Sequence, residues 1–252
     1  MTSTFKTLPN QSVKFRICAG ALSTLAALGV AGCSGAPPQD ATNNAAQDTS
    51  TPAADATTNA ASKNATEKFT NSPQGLEGAL KKNYAGFSFD YPSNWQYKRE
   101  GGDPNSSNFV KVENALRDKV KGDFTLENFA VGYFQSSGDA ASDAKLFPQA
   151  VKQLNAPFAA KWPHYQKISE GPTTVGTYKG YEFRFQSRFE KTKFGPVTLW
   201  GRMILLPNPK PGKRNGVALI LLATSLQKDL KSASDLGVKG ESPVILKSFK
   251  FE

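Results

Sequence analysis

The chain has 252 residues, a net charge of +10, 38% hydrophobic residues and 21% charged residues. That length admits one ordinary domain plus extensions, and the low hydrophobic share means that part of the chain stays outside any core. Two cysteines and a single histidine exclude a disulfide-rich scaffold and any site built on a pair of histidines.

Residues 1–16 are polar and basic, with Lys6, Lys14 and Arg16 and no acid. Ile17 to Ala31 follows as an apolar stretch too short for an ordinary membrane-spanning helix. This is the layout of a secretory signal. It ends in Val30-Ala31-Gly32-Cys33, which resembles the bacterial lipobox. The resemblance implies a diacylglycerol on the Cys33 sulfur and cleavage before it, so residues 1–32 are a lipoprotein signal peptide and Cys18 leaves with them. Each buried methylene contributes about 0.8 kcal/mol, so two or three acyl chains anchor firmly. The implied location is the cell envelope. Ser34 after the cysteine resembles the outer-membrane sorting signal of enteric bacteria. A Gram-negative host would place the protein on the outer membrane facing the periplasm, and any other on the outer face of the cell membrane.

From Ser34 to Thr66 the chain has no Val, Ile, Leu, Met, Phe, Tyr or Trp. Such a stretch cannot bury enough apolar surface to offset its ordering entropy. Residues 33–74 are therefore read as the lipidated cysteine and a disordered tether rich in Ala, Thr and Asn. A flexible coil of about forty residues holds a domain roughly 35 Å from its anchor. Residues 1–32 carry +3 and residues 34–74 carry −2, which leaves +9 on residues 75–252. A basic domain calls for an acidic partner or an anionic surface.

Residues 75–252 read as one globular domain. Phe87, Phe89 and Tyr91 alternate with Ser88 and Asp90 as in a half-buried strand, and Pro92-Ser93-Asn94 turns Trp95 back toward the core. Asn108–Val112 and Asn128–Gln135 read as further strands. In 180–190, Tyr181, Phe183, Phe185 and Phe189 face one way and Glu182, Arg184, Gln186, Arg188 and Glu190 the other. Residues 191–195 suit a hairpin to a strand at 197–206, and 216–226 is apolar enough for a central strand covered on both faces. Phe147, Val151, Leu154 and Phe158 mark a helix within 142–160, which Pro148 and Pro157 are expected to trim to the stretch between them. Ser242-Pro243 reads as an N-cap with proline at N1, opening a short helix toward Phe249. Many antiparallel strands with few helices make an α+β pattern.

F-S-F-D-Y-P-S-N-W at 87–95 and I-L-K-S-F-K-F at 245–251 resemble the PsbP-like sandwich, which includes extrinsic photosystem II subunits and bacterial envelope lipoproteins of the DcrB and LpqN types. The resemblance implies an α/β/α sandwich, a central antiparallel sheet flanked by helices. The motifs are mainly core packing and speak to fold rather than function.

No set of residues spells a catalytic site. His164, in Trp162-Pro163-His164-Tyr165, would have to serve any hydrolase triad, but no G-x-S-x-G elbow accompanies it. Ser142-Asp143-Ala144-Lys145 matches S-x-x-K without S-D-N or K-T-G downstream, so capping by Ser142 or Asp143 is the better reading. Asp118, Asp123 and Glu127 could converge on calcium, although their spacing does not require it and solvated loop carboxylates are the default. No cofactor or metal is expected. The feature that points furthest is a basic set, Arg184, Arg188, Lys191, Lys193, Lys210, Lys213 and Arg214, expected to share a strand face and adjoining loops. An acidic envelope protein, an acidic glycan or anionic lipid would suit it, and nucleic acid would not suit an exported protein. Against these stands a merely solubilising surface. The leading expectation is a non-enzymatic, membrane-anchored binding or accessory module for another envelope component. The alternatives are a ligand-binding or hydrolytic domain with a cleft near His164, and a photosystem II-type accessory subunit in a photosynthetic host.

Overall fold

The structure is a computed structural model that describes residues 65–103 and 106–252. Cys33 and the lipobox residues Val30, Ala31 and Gly32 lie outside the described residues. The described residues form ten strands and three helices: β1 (Thr66–Thr70), α1 (Gly78–Lys82), β2 (Phe87–Pro92), β3 (Gln96–Arg99), β4 (Asn108–Asp118), β5 (Gly122–Gln135), α2 (Ala140–Lys161), β6 (Gln166–Val175), β7 (Tyr178–Phe189), β8 (Val197–Leu206), β9 (Asn215–Thr224), α3 (Pro243–Ser248) and β10 (Lys250–Phe251). A short 3-10 turn covers Ala233–Asp235. Among the described residues, no helix is long and apolar enough to cross a membrane.

Seven strands make an antiparallel sheet in the order β3-β4-β5-β9-β8-β7-β6. Its centre is β9, whose Val217, Leu219 and Leu221 enter one core while Ala218 enters the other. That two-sided burial is what its continuous apolar run requires. The remaining strands form a small sheet in which β2 pairs with β1 on one side and β10 on the other.

The larger core lies between the two sheets. Phe87 and Phe89 of β2 are fully buried there, Phe89 edge-on to Phe129 of β5 at 5.0 Å between ring centroids. Such aromatic pairs contribute about 1 kcal/mol beyond the area they bury. On the opposite face, α2 lays Phe147, Val151 and Phe158 over Phe183, Phe185, Met203 and Leu205. The ring of Phe185 lies across Gly201 of β8, its register partner. A methyl group on Gly201 would sit 2.0 Å from that ring, so the pair requires glycine at this point.

Sheet dominates over helix. The expected antiparallel sheet is present, but α2 alone forms a helical layer of any length; the other face takes the small sheet and the six-residue α3. The first strand begins ahead of residue 75, because β1 gains its order from β2 and contributes only Phe69 to the core. Nor do the prolines trim α2, which runs through both. Pro148 faces solvent, so water can serve the Ala144 carbonyl that its ring deprives of a donor.

Candidate functional site

The hairpins of an antiparallel sheet alternate between its two ends, and this separates the basic residues. Lys191 and Lys193 lie in the β7–β8 connection, whereas Lys210, Lys213 and Arg214 lie in the β8–β9 connection. The ten residues of β8 stand between them, roughly 30 Å of strand. The seven cations therefore do not share one surface, contrary to the sequence reading of adjoining loops. Lys210 donates to the backbone carbonyl of Glu252 at 2.8 Å, which fixes it against the chain's last residue.

Arg184 is not presented to a partner at all. It lies directly opposite Arg202 across β7 and β8, and Glu182 sits between them. Glu182 Oε1 accepts from Arg184 Nε at 2.8 Å, and Oε2 accepts from Arg202 Nε at 2.8 Å and Nη2 at 2.6 Å. The remaining guanidinium nitrogens donate to the backbone carbonyls of Ala233 (2.8 Å, from Arg184 Nη1) and Leu236 (3.1 Å, from Arg202 Nη1). The three side chains are only 9–15% exposed. Burial is the largest influence on Glu182 and opposes its ionisation, yet the hydrogen bonds and charges of the two arginines outweigh it and hold the carboxyl below the usual range. The cluster staples the 233–236 turn to the sheet. Trp200, Ala223, Leu230, Ala233 and Leu236 close a small apolar core beneath that turn.

Arg188 remains exposed, paired with Glu190 at 2.7 Å. Near it is a hollow of about 280 Å³ lined by His164, Gln186, Ser187, Arg188, Thr198, Trp200 and Lys231. No carboxylate lines it, and the Ser187 hydroxyl donates to the Pro163 carbonyl at 2.5 Å. A Ser-His-acid relay needs a serine directed at the imidazole and an acid behind it. His164 itself is exposed, in the left-handed region at φ 50°. It ends the turn that leads into β6.

The S-x-x-K pair is likewise dissolved. Asp139 caps α2 by accepting from the Ser142 amide at 2.8 Å, and both Ser142 and Lys145 face solvent. Asp143, expected as a cap, is 2% exposed and accepts from the Ser136 hydroxyl at 2.6 Å and the Ser137 amide at 2.7 Å. Asp118, Asp123 and Glu127 do not converge. Asp118 accepts from the amides of Val120 and Lys121, Asp123 faces Arg117 at 3.9 Å, and Glu127 is buried, accepting from Gln227 Nε2 at 2.8 Å. Among the described residues, no three His, Cys, Asp or Glu side chains gather as a metal site would require.

What sequence reasoning missed is the β4–β5 hairpin tip, Lys119-Val120-Lys121. Asp118 ties two of its amides, at 2.9 and 2.8 Å, and Gly122 takes the left-handed conformation that closes the turn at φ 82°. Lys121 Nζ lies 5.3 Å from the ring centroid of Phe194 in the β7–β8 connection, and Phe194 packs edge-on to Phe124 at 4.9 Å. The two hairpins thus meet, and Lys119, Lys121, Lys191 and Lys193 form one exposed set. Charges on either side of Val120 were the available sequence signal; that they join Lys191 and Lys193 depends on strand pairing.

No protein-family model matches this chain, and no curated protein matches it. Among solved structures it is similar to LpqN of Mycobacterium tuberculosis, a protein involved in cell envelope biogenesis, at 13% identity over 75% of this chain and 92% of that one, with a TM-score of 0.39. It is similar to cyanobacterial PsbP from Synechocystis sp. PCC 6803 at 13% identity, over 74% and 92%, with a TM-score of 0.41. The yeast Ran-binding protein Mog1p of Saccharomyces cerevisiae gives 13%, 74% and 95%, and 0.38. Likeness at this level carries neither a family nor an activity to this chain.

Proposed function

We propose that this protein is a lipid-anchored envelope protein whose PsbP-like domain is a non-enzymatic binding or accessory module for another envelope component. The observation that carries the reading is Val30-Ala31-Gly32-Cys33 at the end of a short apolar run with a basic flank. The residues from Ser34 to Asn64, ahead of β1 and devoid of large apolar side chains, then serve as a tether. The conspicuous buried ion cluster holds a turn. The two stretches that carry the PsbP resemblance meet in the small sheet, where Phe87 pairs with Phe251 and Ser88 with Lys250.

In a Gram-negative host, Ser34 places the anchor in the outer membrane facing the periplasm; in other hosts the anchor lies on the outer face of the cell membrane. The test is metabolic labelling with a palmitate analogue, followed by fractionation, of cells making the chain or its Cys33→Ser form. The expected result is label and membrane recovery for the first and neither for the second. Equal processing and membrane recovery of the two would overturn the anchor. A photo-crosslinker at Arg188 or Lys213 should then capture one dominant partner, and a featureless smear would overturn the accessory role.

A further inference from the structure

We infer that the end of the large sheet bearing the β4–β5 and β7–β8 hairpins docks on an anionic phospholipid surface, through Lys119, Lys121, Lys191 and Lys193 around Val120. This deepens the anchored-module reading and rests on it for orientation, because it names the face that the domain turns toward the bilayer.

Three observations carry it. The first is Val120, which is 93% exposed between two lysines, on a turn held by hydrogen bonds. An apolar side chain fixed outward among cations matches the layered chemistry of a bilayer surface, where a lysine can leave its ammonium at the phosphates while its neighbour enters the acyl boundary. The second is charge. Lys119, Lys121, Lys191 and Lys193 are exposed, and among the described residues no ion pair engages them. The carboxylates of the two hairpins themselves are engaged: Asp118 by the turn's amides, Asp123 by Arg117 and Glu190 by Arg188. Each basic residue near an anionic leaflet adds to the attraction. The third is where the chain enters. The Ala65 carbonyl accepts from the Ser93 amide at 3.0 Å, beside the turn after β2. Trp95, two residues on, shares the Glu241 carboxylate with Asn114, four residues from Asp118. From there β1 runs away from the lysines, since Thr70 pairs with Ser88, at the end where Lys210 meets Glu252. Ala65, the first described residue, thus lies at the end of the domain that bears the lysine hairpins.

An anchor at Cys33 and a basic tip at the end where the described chain begins supply the two membrane signals that together hold a domain against a surface. Lys210, Lys213 and Arg214 of the β8–β9 loop, at the opposite end, would face away.

The test uses residues 33–252, which contain every described element, with Cys33→Ser so that no acyl chain can form. Vesicles of phosphatidylcholine with and without about one third phosphatidylglycerol are sedimented with the protein. We expect binding to the anionic vesicles alone, weakening as salt rises. Reversal of Lys119, Lys121, Lys191 and Lys193 to Glu should lower that binding at least about tenfold, and Val120→Asp should lower it as well. Reversal of Lys210, Lys213 and Arg214 should leave it within about twofold, with unchanged thermal unfolding certifying each variant as folded. Equal loss from both reversal sets, or no preference for anionic vesicles, overturns the proposal. So does retention on polyglutamate without vesicle binding, which would assign the surface to an acidic polypeptide. Failure of Cys33 acylation in cells would overturn the anchor and leave this result standing, so the two readings fail separately.

Discussion

Arg184 and Arg202 face one another across β7 and β8, and a single carboxylate, Glu182, accepts hydrogen bonds from both. Like charges directly opposite one another in a sheet destabilise it, so the pair depends on the acid between them. Glu182→Gln keeps the shape and removes the charge, leaving two largely buried guanidinium groups unpaired. A loss of about 3 kcal/mol is expected, read from the midpoint of urea unfolding. The contribution is present above the unfolded carboxyl value of 4.5 and is lost as pH falls through the depressed folded value, so the gap between the two proteins should close in acid. A loss below about 0.5 kcal/mol at neutral pH would show the cluster to be no more than a surface pair.

Glu127 has the opposite sign. It is 1% exposed beneath Gly240, and burial pushes its carboxyl up, although Gln227 and the Glu241–Ser242 segment counteract in part. Between 4.5 and the raised folded value, the folded protein holds a proton that the unfolded chain has released. The stability due to this group is fully present below 4.5 and declines as pH rises through the raised folded value. Urea unfolding from pH 4 to 8 should show that decline in the wild type and its disappearance in Glu127→Gln. An unchanged slope in the variant would place the proton elsewhere.

Pro148 lies in the ninth position of α2, where a proline removes one helical hydrogen bond and crowds the preceding turn. Its face is exposed, so no core contact depends on its ring. Pro148→Ala should stabilise the protein by about 1–3 kcal/mol, seen as a higher unfolding temperature with the same fold. Destabilisation would mean that the ring supports the helix in a way its exposure does not show.

The strands legible in the sequence are those whose side chains report a core. Tyr181, Phe183, Phe185 and Phe189 alternate visibly in β7, and the bounds of β8 agree with the expected 197–206. β6 is different. Its Gln-Lys-Ile-Ser-Glu-Gly-Pro-Thr-Thr-Val offers no alternation, because it is an edge strand with Val175 alone buried, ordered by the backbone of β7. The two-residue β10 exists only because β2 has an open side to receive it.

The candidate surface divides in the same way. That Lys119, Lys121, Lys191 and Lys193 are charged was readable, as was the hairpin connection at 191–195. That they touch through Lys121 and Phe194, while Arg184 disappears into an ion cluster and Lys210 joins the chain's last residue, was not. By itself the sequence determined the short apolar run with its basic flank, the cysteine after it, the stretch without large apolar residues and the strands that feed the cores. Tertiary structure alone decided which cations remain for a partner, because the end of a sheet at which a hairpin emerges follows from long-range pairing, and local periodicity carries no record of it.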